Sequence, residues 1–200
     1  IKGGSAGVLF GDGATGGAVN IITKNPNFLR DQLNFKTSLK SFSSKSKSFS
    51  YTKKLNNFVI QSFVSEEDTQ GYRENSKFKS DNFNFDLSFL KDPINRYFAK
   101  LSYSEQLTEI PGNITLTDFY TRPRYSRTPE DFGKEKVNSI SIGSQNILDT
   151  GNKFSNVFKF EDKDQTTSAL SGGRYILAKT NLETSTFSSK LIKIYKFNNL

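Results

Sequence analysis

The sequence predicts an all-β chain, an antiparallel sheet that forms an open arc of a larger membrane-spanning barrel. Three observations predict it. Hydrophobic residues make up only 34% of the 200 positions, yet Phe occurs 19 times and Tyr 8 times. That balance suits strands with one apolar and one polar face, whereas disordered chains are poor in aromatics. Several segments alternate apolar and polar residues with a period of two. The links between them alternate in turn between tight turns and long polar stretches, the pattern of a barrel with short turns at one end and long loops at the other.

The first element is glycine-rich: Gly7 to Lys24 reads GVLFGDGATGGAVNIITK. Its Gly11-Asp12-Gly13-Ala14-Thr15-Gly16 fits the G-x-G-x-x-G fingerprint of a dinucleotide loop, which requires a helix to open at the last glycine. Ala18-Val19-Asn20-Ile21-Ile22-Thr23 follows instead, dense in β-branched residues that favour strands. Pro26 closes the segment too early for a crossover helix. No Lys-Ser/Thr pair follows the glycines, so a phosphate-binding loop fails too. The reading that remains is strand, glycine turn, strand, with Gly11, Gly13, Gly16 and Gly17 supplying backbone conformations that other residues resist.

The stretch IKGGSAGVLFGDGATGGAVNIITKNP resembles the end of the plug domain of TonB-dependent outer-membrane receptors. That family carries I-x-V-I-R-G-P-x-S-x-L-Y-G-x-G-A-x-G-G-V-I-N-I-I-T-K just before its barrel. Gly3, Ser5, Leu9, Gly11, Gly13, Ala14, Gly16, Gly17, Asn20, Ile21, Ile22, Thr23 and Lys24 match. Lys2, Gly4 and Phe10 replace the usual Arg, Pro and Tyr. The resemblance implies that residues 1–28 end a plug and residues 29–200 begin a barrel of about 22 strands. Gly3, Gly11, Gly13, Gly16, Gly17 and Asn20 would be structural plug residues. It further implies a receptor in the outer membrane of a Gram-negative bacterium, in contact with its lipids. Such a receptor imports a scarce ligand with energy from the TonB complex, which grips a segment upstream of this chain. A ferric chelate of the siderophore class is the first expectation for that ligand; cobalamin, haem or an oligosaccharide are the others.

The barrel strands are expected near 32–42, 46–55, 57–65, 80–90, 95–106, 135–146, 153–162 and 182–197. The clearest is DNFNFDLSFL, with Phe83, Phe85, Leu87 and Phe89 opposite Asn82, Asn84, Asp86 and Ser88. Leu33, Phe35, Thr37 and Leu39 similarly oppose Asn34, Lys36, Ser38 and Lys40. Tyr97, Ala99, Leu101 and Tyr103 share a face, with Phe98 out of pattern, while NFVIQSFVS is ambiguous. Links at Asn56-Asn57, KDPIN and ILDTGN read as tight turns. Those from Glu66 to Lys79, Leu107 to Lys134 and Lys163 to Asn181 read as long loops, and a short one near Ser43–Lys45 is the exception. Eight strands closed on themselves would fill their own interior, so the expected arrangement is an arc, with the chain leaving the plug on the periplasmic side.

Ligand-binding residues are expected on the outer loops. LTDFYTRPRYSRTPEDFGK concentrates Tyr120, Arg122, Arg124, Tyr125 and Arg127. Arginines interleaved with tyrosines suit an anionic, aromatic chelate through charge-assisted hydrogen bonds and stacking. A solvated loop whose arginines meet Glu130, Asp131 or lipid phosphates is the plainer reading. Tyr72 and Arg73, in GYREN, are candidates of the same kind; GYREN and PGNITL look like loop segments of the iron-chelate receptors.

The absence of Cys and His removes thiolate metal sites and the usual general base, and no carboxylate cluster replaces them. An enzyme, a resident metal and a cofactor are therefore not expected. The formal charge of +8 is scattered along strands rather than gathered in a stripe, which argues against nucleic acid. No run approaches the ~20 apolar residues of a spanning helix, and a chain opening on Ile without any Met reads as an internal piece of a longer one. The rival architectures are a small closed adhesive barrel and a soluble β-sandwich with a buried core.

Overall fold

The computed structural model describes residues 2–3, 17–18, 30–92, 94–148 and 152–193. Two short strands, β1 (Lys2–Gly3) and β2 (Gly17–Ala18), pair antiparallel and set Gly3 opposite Gly17. Gly11, Gly13, Gly16 and Asn20 of the glycine motif lie outside the described residues.

The other eight strands among the described residues build one sheet. Its strands are β3 (Gln32–Lys40), β4 (Ser44–Leu55), β5 (Phe58–Thr69), β6 (Phe78–Leu90), β7 (Arg96–Glu109), β8 (Phe132–Ile147), β9 (Lys153–Ser171) and β10 (Arg174–Ile192). Each pairs antiparallel with its neighbour in sequence, and β3 and β10 are the two edges. A closed eight-strand barrel would join those edges. A sandwich would add a second layer over a core, whereas the buried hydrophobic residues among those described are Val59 and Leu90 alone. The sheet is a barrel arc.

Its two faces differ in kind. On β4, Ser44, Ser46, Ser48 and Ser50 are half-buried while Lys45, Lys47, Phe49 and Tyr51 are exposed, so the polar face is the concave, inner one. Register then assigns every strand. On the outer face one row joins Phe49, Val64, Phe83 and Tyr103; the next runs through Tyr51, Ser62, Phe85, Leu101, Ile140 and Phe160. Among the described residues no second layer covers these side chains, and Phe35 and Phe187 are 66% and 70% exposed. The row above the band is charged: Lys47, Glu66, Asp81, Glu105, Lys136 and Asp164. Ion pairs Lys79–Asp81 and Lys134–Glu105, at 3.1 and 2.8 Å, close its upper edge.

Phe98 breaks the sequence pattern because it serves the inner face. Its ring lies between the Arg96 guanidinium, 4.7 Å from its centroid, and the Lys100 ammonium, at 5.3 Å. Both cations hold Asp86, at 3.2 and 3.0 Å. The ring needs the space over Gly143, where a Cβ would stand 2.6 Å from its Cζ.

The expected long loop from Lys163 to Asn181 does not exist. β9 and β10 pair without interruption from Lys153–Ile192 to Ser171–Arg174 and turn at Gly172-Gly173, both at positive φ (57° and 79°). Two glycines with φ > 0 make the turn whose twist matches a hairpin. The stretch reads as loop because it is polar. Its threonines nevertheless favour strand, and 19 residues span roughly 60 Å against an apolar band of about 25 Å in membrane barrels. The polar part is strand continuing beyond the band. The last strand is accordingly Arg174–Ile192, starting eight residues earlier than expected, and positions 194–197 of the expected strand lie outside the described residues. The other two long loops shorten to 70–77 and 110–131, and the first turn occupies 41–43.

Candidate functional site

The loops 70–77 and 110–131 leave the same end of the sheet, above the charged row, and fold against each other. Loop 110–131 carries a single helical turn, α1 (Leu116–Thr121). Thr115 caps it, its Oγ1 accepting from the Asp118 amide at 3.1 Å, which satisfies one of the free N–H groups of a helix start. Asp118 also ion-pairs with Arg122 one turn on. The Arg122 guanidinium, and after it Thr115, holds the Asp118 carboxyl below the usual carboxylate range, and Asp118 in turn raises Arg122.

Arg122 then lies 3.8 Å above the centroid of the Tyr125 ring, a cation–π contact. Arg124 donates through Nε to the Tyr72 carbonyl at 3.0 Å and stands 5.9 Å from the Tyr72 ring. Tyr120 is 75% exposed, edge-on to Phe119. Arg127 donates its backbone N–H to Pro111, and its side chain forms no ion pair among the described residues. Four of the seven expected ligand residues therefore form two arginine–tyrosine pairs, Arg122–Tyr125 and Arg124–Tyr72, while Tyr120 stands exposed on α1 against Phe119.

Arg73 is placed differently. Its guanidinium donates to the carbonyls of Gly112 (2.7 Å), Tyr125 (2.8 Å) and Pro111 (3.2 Å). Three backbone acceptors from the neighbouring loop occupy the fork. Asn75, at φ 51°, does the same with its side-chain amide, donating to Thr128, Asp131 and Ile110 at 2.6, 2.9 and 3.1 Å. Glu74 completes the seam: its N–H donates to the Arg124 carbonyl at 2.8 Å, and its carboxylate accepts from the Ser126 amide at 3.3 Å. GYREN is thus a clamp that ties two loops into one body. Sequence reading singles out Tyr72 and Arg73 and misses Asn75 and Glu74, whose partners lie some 35 to 56 positions away. Among the described residues no cluster of carboxylates could hold a metal ion.

No protein-family model matches this chain, and no curated protein does. Among solved structures, the ferric citrate transporter FecA in its unliganded form matches with a TM-score of 0.70 at 17% identity, over 82% of this chain and 25% of that one. The order, the single layer and the outward apolar band are what such a wall requires. The fold is that of a sector of that transporter's barrel wall. The N-terminal glycine motif, apart from Gly3, Gly17 and their immediate neighbours, lies outside the described residues. The chain spans a quarter of the transporter's length. On that fold it is one sector of barrel wall carrying two loops at one end.

Proposed function

We propose that the chain is part of an outer-membrane active-transport receptor that binds a scarce ligand, a ferric chelate of the siderophore class, and imports it with energy delivered through TonB. The observation that carries this reading is the wall itself: an open arc with its aromatic rings outward, similar in fold to a ferric citrate transporter. Residues 1–28 are read as the end of a plug that enters the lumen from the periplasmic side. The loop end then faces outside, and its Arg122–Tyr125 and Arg124–Tyr72 pairs, with Tyr120 and Arg127, are the ligand contacts. Guanidinium groups over tyrosine rings present donors and stacking faces together, which suits an anionic chelate with flat donor groups. Arg73 acts from behind, as part of the clamp. The outward band meets lipid.

The test is uptake of iron-55 chelates by cells expressing the full-length receptor, with and without functional TonB. TonB-dependent uptake supports the proposal. Tight binding to a glycan alone, with no iron uptake, overturns the ligand assignment.

A further inference from the structure

Charge is partitioned between the two faces of the sheet. Counting strand residues by register, β3 and β4 turn Lys36, Lys40 and Lys54 inward, and β7 turns Arg96 and Lys100. β9 adds Lys153, Lys159 and Lys163, and β10 adds Arg174 and Lys190. Those ten cations face four carboxylates, Glu67, Asp86, Glu135 and Glu161, an inner excess of six charges. The outer face carries seven cations and eight carboxylates. Of a formal +8 for the whole chain, most lies on the polar wall.

The inner carboxylates do not cancel it. Asp86 is shared by Arg96 and Lys100, Glu135 pairs with Lys163 at 2.6 Å, Glu161 pairs with Lys159, and Glu67 alone of the four forms no ion pair among the described residues. Lys36, Lys40, Lys54, Lys153, Arg174 and Lys190 form no ion pair among the described residues. They are spread over the wall's height. Lys40 stands at the loop end, Lys36 shares a row with Lys163 through Ser48, Ser65, Asn82, Ser104 and Val137, and Lys190 shares a row with Arg96 near the turn end. A concave, low-dielectric wall with an excess of one sign of charge focuses its field into the space it faces and concentrates counter-ions there.

We infer that this inner wall is an anion path, and that the cargo passing along it carries net negative charge. The inference rests on the transport reading and narrows it: among ferric chelates it selects anionic ones, and it sets aside neutral cargo such as an uncharged oligosaccharide.

The experiment uses the full-length receptor in detergent and two pairs of substitutions that remove equal charge from opposite faces. Lys36→Gln with Lys40→Gln strips the inner face of β3; Lys45→Gln with Lys47→Gln strips the outer face of β4. A trisulfonated pyrene dye, followed by fluorescence anisotropy, should bind more tightly than a tricationic dye of similar size and weaken with salt. The inner pair should lower its affinity about tenfold, and the outer pair should leave it unchanged. Equal binding of the two dyes, or equal loss from both pairs, overturns the inference. A second arm compares ferric citrate with a neutral ferric trihydroxamate. Preference for ferric citrate supports both readings. Equal or tighter binding of the neutral iron chelate overturns the anion path and leaves iron transport standing. Binding of the anionic dye with neither iron chelate bound keeps the anion path and removes iron as the cargo.

Discussion

The guanidinium of Arg73 grips the carbonyl of Tyr125 through both Nε and Nη2, at 3.2 and 2.8 Å, and so holds the residue on which Arg122 stacks. Hydrogen bonds from a charged donor contribute roughly 1.5–3 kcal/mol each, and a lysine cannot reproduce the fork. Arg73→Ala should therefore free loop 110–131 without unfolding the sheet. Amide exchange should quicken at Glu74, Ser126 and Arg127 while β6 and β7 keep their protection, and Arg73→Lys should restore little. Unchanged exchange in that loop would show that the clamp is dispensable.

That clamp marks the limit of what is legible in the sequence. Alternation of Phe and Asn in DNFNFDLSFL places β6 and its faces directly, because the period of a strand is local. Arg73's acceptors lie 38 to 52 positions away, and no local pattern announces them. The β9–β10 hairpin fails for another reason. Its signal, Gly172-Gly173 between β-formers, is present, but polar strand beyond an apolar band has the composition of a loop. Phe98 reads as an error of pattern until Gly143 opens the space it occupies.

The orientation of the faces is open to direct test at adjacent positions. Phe85 points outward at mid-band and Asn84 inward. In a full-length protein folded into lipid, Phe85→Arg should cost about 2–4 kcal/mol, and Asn84→Arg, on a wetted wall, close to nothing. Urea titration read by the mobility difference between folded and unfolded barrel on a gel measures both. Equal costs would mean that the band does not face lipid.

Gly143 should tolerate no side chain. A Cβ there would meet the Asn156 carbonyl oxygen as well as the Phe98 ring, each at 2.6 Å. Overpacking of this kind costs about 1–3 kcal/mol. Adding Phe98→Leu to Gly143→Ala should recover only part of the loss, because the Asn156 oxygen belongs to the backbone and stays in place. Full recovery in the same urea titration would assign the whole clash to the ring.

Loop 110–131 should lose its helical turn in acid. Asp118 titrates below its ordinary range, chiefly through Arg122. A carboxyl lowered in the folded state contributes stability that is complete above its unfolded value of about 3.9 and lost as pH falls through the lowered one. α1 and the Arg122–Tyr125 stack should persist from neutral pH down to about 4 and give way below it. Asp118→Asn should show the loosened loop already at neutral pH, by amide exchange over residues 115–122. A transition centred well above the ordinary carboxylate range would exclude Asp118 as its origin.

The last prediction concerns the chain in isolation. β3 and β10 each present an edge with no neighbour, and unpaired backbone donors and acceptors are a template for another strand. The outward band adds aromatic rings that no second layer among the described residues covers. Without lipid, these 200 residues should associate in water, edge to edge and band to band, at micromolar concentration. Detergent should cover the band but leave the edges, so it should reduce the association without abolishing it. Prolines at alternate positions of β10 should reduce it further, by removing edge donors. A monodisperse monomer in plain buffer that melts cooperatively would mean that the rings have found cover within the chain, which a single-layered wall cannot give them.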